Sequence, residues 1–140
     1  MIVDASVILR AFFPDEEQPQ AQALIRDHVS RQVRLLAPTL LLYELSNAVL
    51  QAVCRARITW EQGEAILASF EGLGIEVEPV SWGQMMSLAR QFDRSAYDAA
   101  YLALAEARGQ PLITGDRRLY QAVHPHLQWV EWIGNYPAAG

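Results

Sequence analysis

The sequence predicts an α/β protein with a small, mainly parallel sheet flanked by helices. Short apolar runs of strand length alternate along the chain with longer segments in which apolar residues recur at helical spacing. This alternation is typical of parallel strands joined through helices. The chain has 140 residues, 51% of them hydrophobic, which suits one domain with its own core. We expect a single domain over residues 1–136 and a loose tail over residues 137–140.

The first half of the chain supplies two strands and three helices. The opening apolar run predicts a buried strand that ends near Asp4, and a helix follows over residues 5–13. A second helix is indicated by one apolar stripe, formed by Ala21, Leu24, Ile25 and Val29. Residues 34–37 predict a strand that Pro38 stops, and Thr39 is expected to cap a long helix over residues 40–55.

The second half continues the alternation. Capping-box patterns at Thr59 and Ser81 predict two helix starts, and Ser95 and Gly109 bound a third helix. The remaining elements are expected in the order strand 75–80, strand 111–114, a short helix after residue 116, and strand 129–133.

Charge composition limits the classes of partner. The formal charge of −5 argues against a surface that coats polyanions, so any contact with nucleic acid must be local or assisted by a metal ion. All eleven basic residues are arginine. Arginine suits phosphate recognition, although genome base composition explains the bias more simply.

Hydropathy indicates a protein that does not enter a membrane. No apolar run reaches the roughly eighteen residues of a membrane span. The hydrophobic N-terminus is interrupted by Asp4 and Arg10, unlike a signal peptide. The single cysteine, Cys54, excludes an internal disulfide and is expected to be a packed thiol. We therefore expect a cytoplasmic protein.

Four carboxylates are candidate site residues, and each has a simpler structural explanation. Asp4 and Asp116 follow predicted strands and could be helix N-caps. Asp98 lies in the first turn of a helix that is apolar nearly all round, where an acid also stabilises the helix dipole. Glu44 lies on a narrow polar stripe that suits either water or a groove.

Taken together, the acids indicate a metal site. Ligands of open α/β sheets bind beyond the carboxyl ends of the strands, where Asp4 and Asp116 are predicted to lie. Converging carboxylates repel one another unless a cation lies among them, and oxygen ligands favour Mg²⁺ or Mn²⁺. Such an ion serves phosphoryl or phosphodiester chemistry. His124 and His126 flank a proline in a predicted turn, which disfavours a zinc site.

At these residues the chain resembles the PIN-domain family, and within it the VapC-type toxins of toxin-antitoxin systems. The resemblance covers most of the chain, up to about residue 120, and is carried by four ordered motifs: Ile2-Val3-Asp4-Ala5-Ser6; Leu42-Tyr43-Glu44-Leu45-Ser46-Asn47; Tyr97-Asp98-Ala99-Ala100-Tyr101-Leu102-Ala103-Leu104-Ala105; and Leu112-Ile113-Thr114-Gly115-Asp116.

The resemblance implies a PIN-like three-layer sandwich with metal-dependent endoribonuclease activity. Asp4, Glu44, Asp98 and Asp116 would bind Mg²⁺ or Mn²⁺ and carry catalysis. Ser6 and Thr114 match hydroxyl positions that support these acids. The resemblance further implies an RNA substrate, a homodimer, and a cognate antitoxin that covers the active-site groove.

One departure from the family pattern concerns the last motif. Some members carry a further acid just after it, whereas Arg117 and Arg118 follow Asp116 here. The number of metal ions therefore stays open. The two arginines could contact RNA phosphates, although solvation at the surface is the simpler interpretation.

The expected reaction is hydrolysis of single-stranded or loop RNA by in-line attack of a metal-activated water. Other functions stay open: an RNA-processing nuclease outside toxin-antitoxin systems, or a silent module that binds metal or RNA. A metal-ion-dependent adhesion site would need a second serine where Ile8 stands. A phosphatase with an aspartyl nucleophile would need an acid where Ser6 stands, and a later lysine, which the chain lacks.

Overall fold

A computed structural model describes residues 1–138 and contains one five-stranded parallel sheet. Its strands are β1 (Ile2–Val3), β2 (Leu36–Pro38), β3 (Glu76–Glu78), β4 (Leu112–Thr114) and β5 (Val130–Trp132). Their order across the sheet is β3-β2-β1-β4-β5, and every neighbouring pair is parallel. The predicted α/β class with a small parallel sheet is confirmed.

Seven α-helices and one 3₁₀ turn surround the sheet. The helices are α1 (Ala5–Phe12), α2 (Pro19–Val29), α3 (Leu40–Cys54), α4 (Trp60–Gly72), α5 (Trp82–Phe92), α6 (Ala96–Arg108) and α7 (Arg117–Val123), and the 3₁₀ turn is Ile133–Asn135. None of the described helices is long and apolar enough to cross a membrane.

The sheet is covered on both faces. Successive strand residues point to opposite sides, so Val3, Ala37 and Ile113 join one core with residues from α1 to α4. Ile2, Leu36 and Leu112 join a second core with α5, α6 and α7. The three central strands β2, β1 and β4 are buried at every position and almost wholly apolar, because both of their faces are covered. The edge strands β3 and β5 are more exposed and carry glutamates. The result is a three-layer sandwich, as predicted.

Strand β1 lies in the middle of the sheet. Ile2 is paired with Leu36 of β2 on one side and with Leu112 of β4 on the other. The backbone N–H of Asp4 donates to the carbonyl of Ile113 at 3.4 Å. This register places Asp4 beside Thr114, at the carboxyl edge where α/β proteins bind ligands.

Four local predictions are wrong. Strand β2 begins at Leu36 and includes Pro38, which was expected to stop it but is paired in register with Glu78. Thr39 has helical dihedral angles (φ −50°, ψ −29°), and its side chain makes no cap hydrogen bond. Val29 is 65% exposed because α2 ends there, beyond the buried stripe. Cys54 ends α3 on its outer side and is exposed instead of packed.

Other helix boundaries agree with the sequence. Thr59 forms the complete predicted capping box with Gln62. At the second predicted capping box, the Ser81 hydroxyl accepts from the backbone N–H of Gln84, which is one of the two expected hydrogen bonds. Gly109 ends α6 in the left-handed conformation (φ 61°). In the predicted tail, residues 137 and 138 are exposed and irregular, and residues 139 and 140 lie outside the described residues.

Candidate metal centre

Asp4 is buried and held from both sides. It lies at the N-cap position of α1, but its side chain makes no cap hydrogen bond of normal geometry. Instead, the hydroxyls of Ser6 and Thr114 each donate to one of its carboxylate oxygens. The side chain is therefore fixed by α1 on one side and by β4 on the other.

The two hydroxyls also link Asp4 to the turn after β4. Ser6 Oγ accepts from the N–H of Gly115 at 2.8 Å, and Thr114 Oγ1 accepts from the N–H of Asp116 at 2.9 Å. Each hydroxyl thus donates to Asp4 and accepts from the backbone of the turn. This network joins the first and last motifs of the sequence.

Asp116 lies at the start of α7 and is half-buried. Its Oδ1 accepts from the N–H of Leu119 at 3.2 Å, so the expected N-cap role is present. Asp98 is half-buried in the first turn of α6, where its N–H donates to Ser95 Oγ at 3.1 Å. Capping fixes both helix ends at the edge of the sheet that carries Asp4.

Glu44 on α3 is held by a residue that the sequence did not single out for this role. The phenol of Tyr101, on α6, donates to Glu44 Oε1. Tyr101 is only 3% exposed, so its hydroxyl needs an internal partner. The signal was available in the spacing, because Tyr101 lies one helical turn after Asp98 and shares its face.

The four acids influence one another electrostatically. Burial, together with the weaker effect of the Asp116 charge, raises the pKa of Asp4 to about 6, although its two hydroxyl partners lower it. Burial and then Asp116 raise the pKa of Asp98, while Arg94 lowers it. Burial also raises the pKa of Glu44; the Tyr101 hydrogen bond opposes this, and Asp98 adds to it. The acids therefore form a coupled row: Asp4, Asp116, Asp98 and Glu44.

This row has the donor chemistry of a hard divalent cation. All its ligand atoms are carboxylate oxygens, and a cation among them would offset their mutual repulsion. Within residues 1–138, no three acidic, histidine or cysteine side chains are already arranged closely enough to enclose one ion. The acids form an open row in which Asp4 is buried and Glu44, Asp98 and Asp116 are half-exposed.

Arginine side chains lie near the Asp116 end of the row. Arg117 and Arg118 are exposed at the first positions of α7. The sequence did not single out Arg10, whose Nε lies 3.0 Å from the position that a β-carbon on Gly115 would take. Its approach to the site depends on a contact between residues 105 positions apart, which no local pattern reveals.

The fold and the row of acids define a PIN domain. A family model described as "PIN domain" matches residues 1–124, so the chain belongs to the PIN-domain family. Ribonuclease VapC3 from Pyrobaculum aerophilum is 30% identical over 85% of this chain and 91% of its own length. Ribonuclease VapC12 from Mycobacterium tuberculosis is 32% identical over 75% of this chain and 83% of its own length. The predicted resemblance to VapC-type members is confirmed.

A solved structure supports the fold independently. The crystal structure of PAE2754 from Pyrobaculum aerophilum matches with a TM-score of 0.71 and 22% identity, over 95% of this chain and 83% of that one. At this identity the likeness concerns the fold, and the roles of the individual acids stay predictions.

Proposed function

We propose that the protein is a metal-dependent endoribonuclease that hydrolyses RNA phosphodiester bonds, the toxin of a VapBC-type pair. The observation that carries the proposal is the coupled row of four acids at the carboxyl edge of β1 and β4. Each acid belongs to one of the four motifs that carry the family resemblance, and the relatives at 30–32% identity are named ribonucleases. A scaffold without activity has no need of this concentration of repelling charge.

Asp4, Glu44, Asp98 and Asp116 would hold Mg²⁺ or Mn²⁺. A bound ion would supply charge stabilisation at the phosphate and a more acidic water. The role of Ser6 and Thr114 is to hold the Asp4 carboxylate in one orientation, and Tyr101 does the same for Glu44. Glu44, Asp98 and Asp116 are more exposed than Asp4 and are the acids that incoming water and RNA would reach.

Exposed apolar side chains support the proposal that this protein binds protein partners. Leu42 and Tyr43 directly precede Glu44 and are 51% and 69% exposed. Trp82 and Met86, one turn apart on α5, are 83% and 67% exposed. Large apolar surfaces of this kind mark protein contacts. We assign the surface beside Glu44 to the antitoxin, which would cover the acids, and the α5 surface to the homodimer.

The nuclease assignment is tested by cleavage of single-stranded RNA in Mg²⁺ or Mn²⁺, with binding of Mn²⁺ measured in parallel. EDTA and Asp98→Asn should each abolish cleavage while the protein stays folded. Glu106→Gln removes an exposed acid from the same helix and should cleave normally. Equal cleavage by a folded Asp98→Asn protein would overturn the assignment. Metal binding without cleavage would favour a binding module.

The partners are tested separately. Co-expression with the protein encoded by a short neighbouring reading frame should suppress cleavage, and Tyr43→Glu should weaken that complex. Sedimentation velocity should show a dimer that Trp82→Glu converts to a monomer. An unchanged dimer in the Trp82→Glu variant would remove the α5 surface from the proposal.

A further inference from the structure

Two arginines lie on one tryptophan beside the acids. The guanidinium carbon of Arg10 is 5.8 Å from the ring centroid of Trp132, and that of Arg117 is 5.6 Å from it. These distances are within cation–π range. Tyr120 packs against the same indole, with ring centroids 5.6 Å apart, and so supports it from α7. The two positive charges are thereby held on one rigid aromatic group.

The sheet places this group next to the metal centre. Trp132 ends β5 and is paired in register with Thr114, whose hydroxyl contacts Asp4. Arg10 crosses the Thr114-Gly115-Asp116 turn, where a β-carbon on Gly115 would lie 3.0 Å from its Nε. Arg117 directly follows Asp116. Both cations therefore lie at the Asp116 end of the row of acids.

Neither arginine forms an ion pair within residues 1–138, although acids lie nearby. Arg57 offers a contrast in the same molecule. Its guanidinium lies over Phe13 at 5.0 Å, but it also pairs with Asp15 at 2.8 Å. Arg10 has only a long hydrogen bond to Gln18, at 3.4 Å. The guanidinium N–H groups of Arg10 and Arg117 thus remain available for an anion.

We propose that Arg10 and Arg117, held by Trp132, bind RNA phosphates next to the scissile bond. The proposal rests on the nuclease function above and names how its substrate is held. Arginine binds phosphate through a planar fork of donors, and the contact with the indole restricts each guanidinium before RNA arrives, which lowers the entropy cost of binding. In a protein of net charge −5, these cations offer a local attraction beside acids that repel a phosphate backbone.

The test is the salt dependence of RNA binding. A fluorescein-labelled single-stranded RNA is titrated in Mg²⁺ at several KCl concentrations, with Asp98→Asn as the parent protein so that cleavage does not consume the probe. The plot of log K against log salt has a negative slope. Arg10→Ala and Arg117→Ala should each make this slope less steep by about 0.7, the value for one phosphate contact on a single strand. Arg34→Ala is the matched control, since it removes the same charge from the opposite edge of the sheet.

Trp132→Leu separates positioning from charge. It keeps both arginines, so the slope should stay near that of the parent while affinity falls about three- to fivefold, the strength of a cation–π contact. A slope unchanged in both arginine variants, an equal loss in Arg34→Ala, or no measurable RNA binding by the parent would overturn the proposal. Cleavage of RNA by the wild-type protein is scored separately, so an unchanged slope in an active nuclease rejects only the phosphate contacts.

Discussion

Thr114 donates its hydroxyl hydrogen to the Asp4 carboxylate across the pairing of β1 and β4, and the same oxygen accepts the N–H of Asp116 at 2.9 Å. One buried hydroxyl therefore positions two acids of the row. Thr114→Val keeps the shape and removes both hydrogen bonds. We expect Mn²⁺ affinity and RNA cleavage to fall about 10- to 100-fold, as for other groups that orient metal ligands. Thr114→Ser should restore most of both. Full activity in a folded Thr114→Val protein would contradict the positioning role.

The stability of the metal-free protein should fall as pH rises from about 4 to about 6. Asp4 has a folded pKa of about 6 against an ordinary value of 3.8, so the folded state holds the proton more tightly over that range. Unfolding then releases a proton, and rising pH favours the unfolded state. A shift of about two units corresponds to roughly 3 kcal/mol at most, present below pH 4 and lost above pH 6.

The comparison of wild type with Asp4→Asn isolates this effect from that of other carboxylates. The free energy of unfolding of both proteins is measured by urea denaturation in EDTA at about pH 4 and pH 7. Between these two pH values, the stability of Asp4→Asn relative to the wild type should increase. The variant should be the more stable protein at pH 7, although we expect it to be inactive. A difference that does not change with pH would contradict the raised pKa of Asp4.

A divalent metal ion should offset the loss of folding stability that the repelling acids cause at neutral pH. An ion that binds only the folded protein stabilises it by about 2.7 kcal/mol when its concentration is a hundred times Kd. Thermal melting of the wild type should therefore shift upward with Mn²⁺ and return after EDTA. Asp98→Asn should lose most of the shift, whereas Glu106→Gln should keep it. Equal shifts in all three proteins would indicate binding elsewhere.

The sequence could predict the elements that local chemistry determines. Alternating apolar runs give the strands, and side-chain caps such as Thr59 and Ser95 give the helix starts, because those signals lie within a few residues. The prediction failed at Thr39, where residue type alone suggested a cap. There the backbone hydrogen bond from Thr39 N–H to the carbonyl of Glu78 extends the β2–β3 pairing, and the residue turns directly into α3.

This difference between the two threonines gives a stability prediction. Thr59→Ala removes a complete capping box and should cost about 1 kcal/mol in the free energy of unfolding. Thr39→Ala removes no cap hydrogen bond and should cost clearly less. Urea denaturation of the two variants provides the measurement. Equal losses would show that Thr39 acts through another contact.

The set of candidate acids could be predicted from the sequence. The side-chain contacts that hold these acids in place could be predicted only in part. The positions of the acids after β1 and β4, and on α3 and α6, follow from the chain order and the motifs. Ser6 and Thr114 were expected beside the acids, and the structure places both hydroxyls on Asp4. Partners that meet only through the tertiary fold were missed: Tyr101 holds Glu44 across two helices, and Arg10 reaches Gly115 across the sheet edge.

Tyr101 offers the test of that missed network. Its phenol lowers the pKa of Glu44 by donating to the ionised carboxylate, against the raising effect of burial. Tyr101→Phe fills the same space and removes one hydrogen bond to the half-buried Glu44, so the free energy of unfolding should fall by only about 1 kcal/mol. Glu44, however, loses its fixed orientation, and its pKa rises.

We therefore expect Mn²⁺ affinity and RNA cleavage by Tyr101→Phe to fall about tenfold at pH 7, the lower range for a group that orients a metal ligand. Tyr97→Phe is the control, since Tyr97 lies on the same helix and is 65% exposed. If both variants bind Mn²⁺ like the wild type, the hydrogen bond between Tyr101 and Glu44 serves packing alone, and Glu44 is oriented by other contacts.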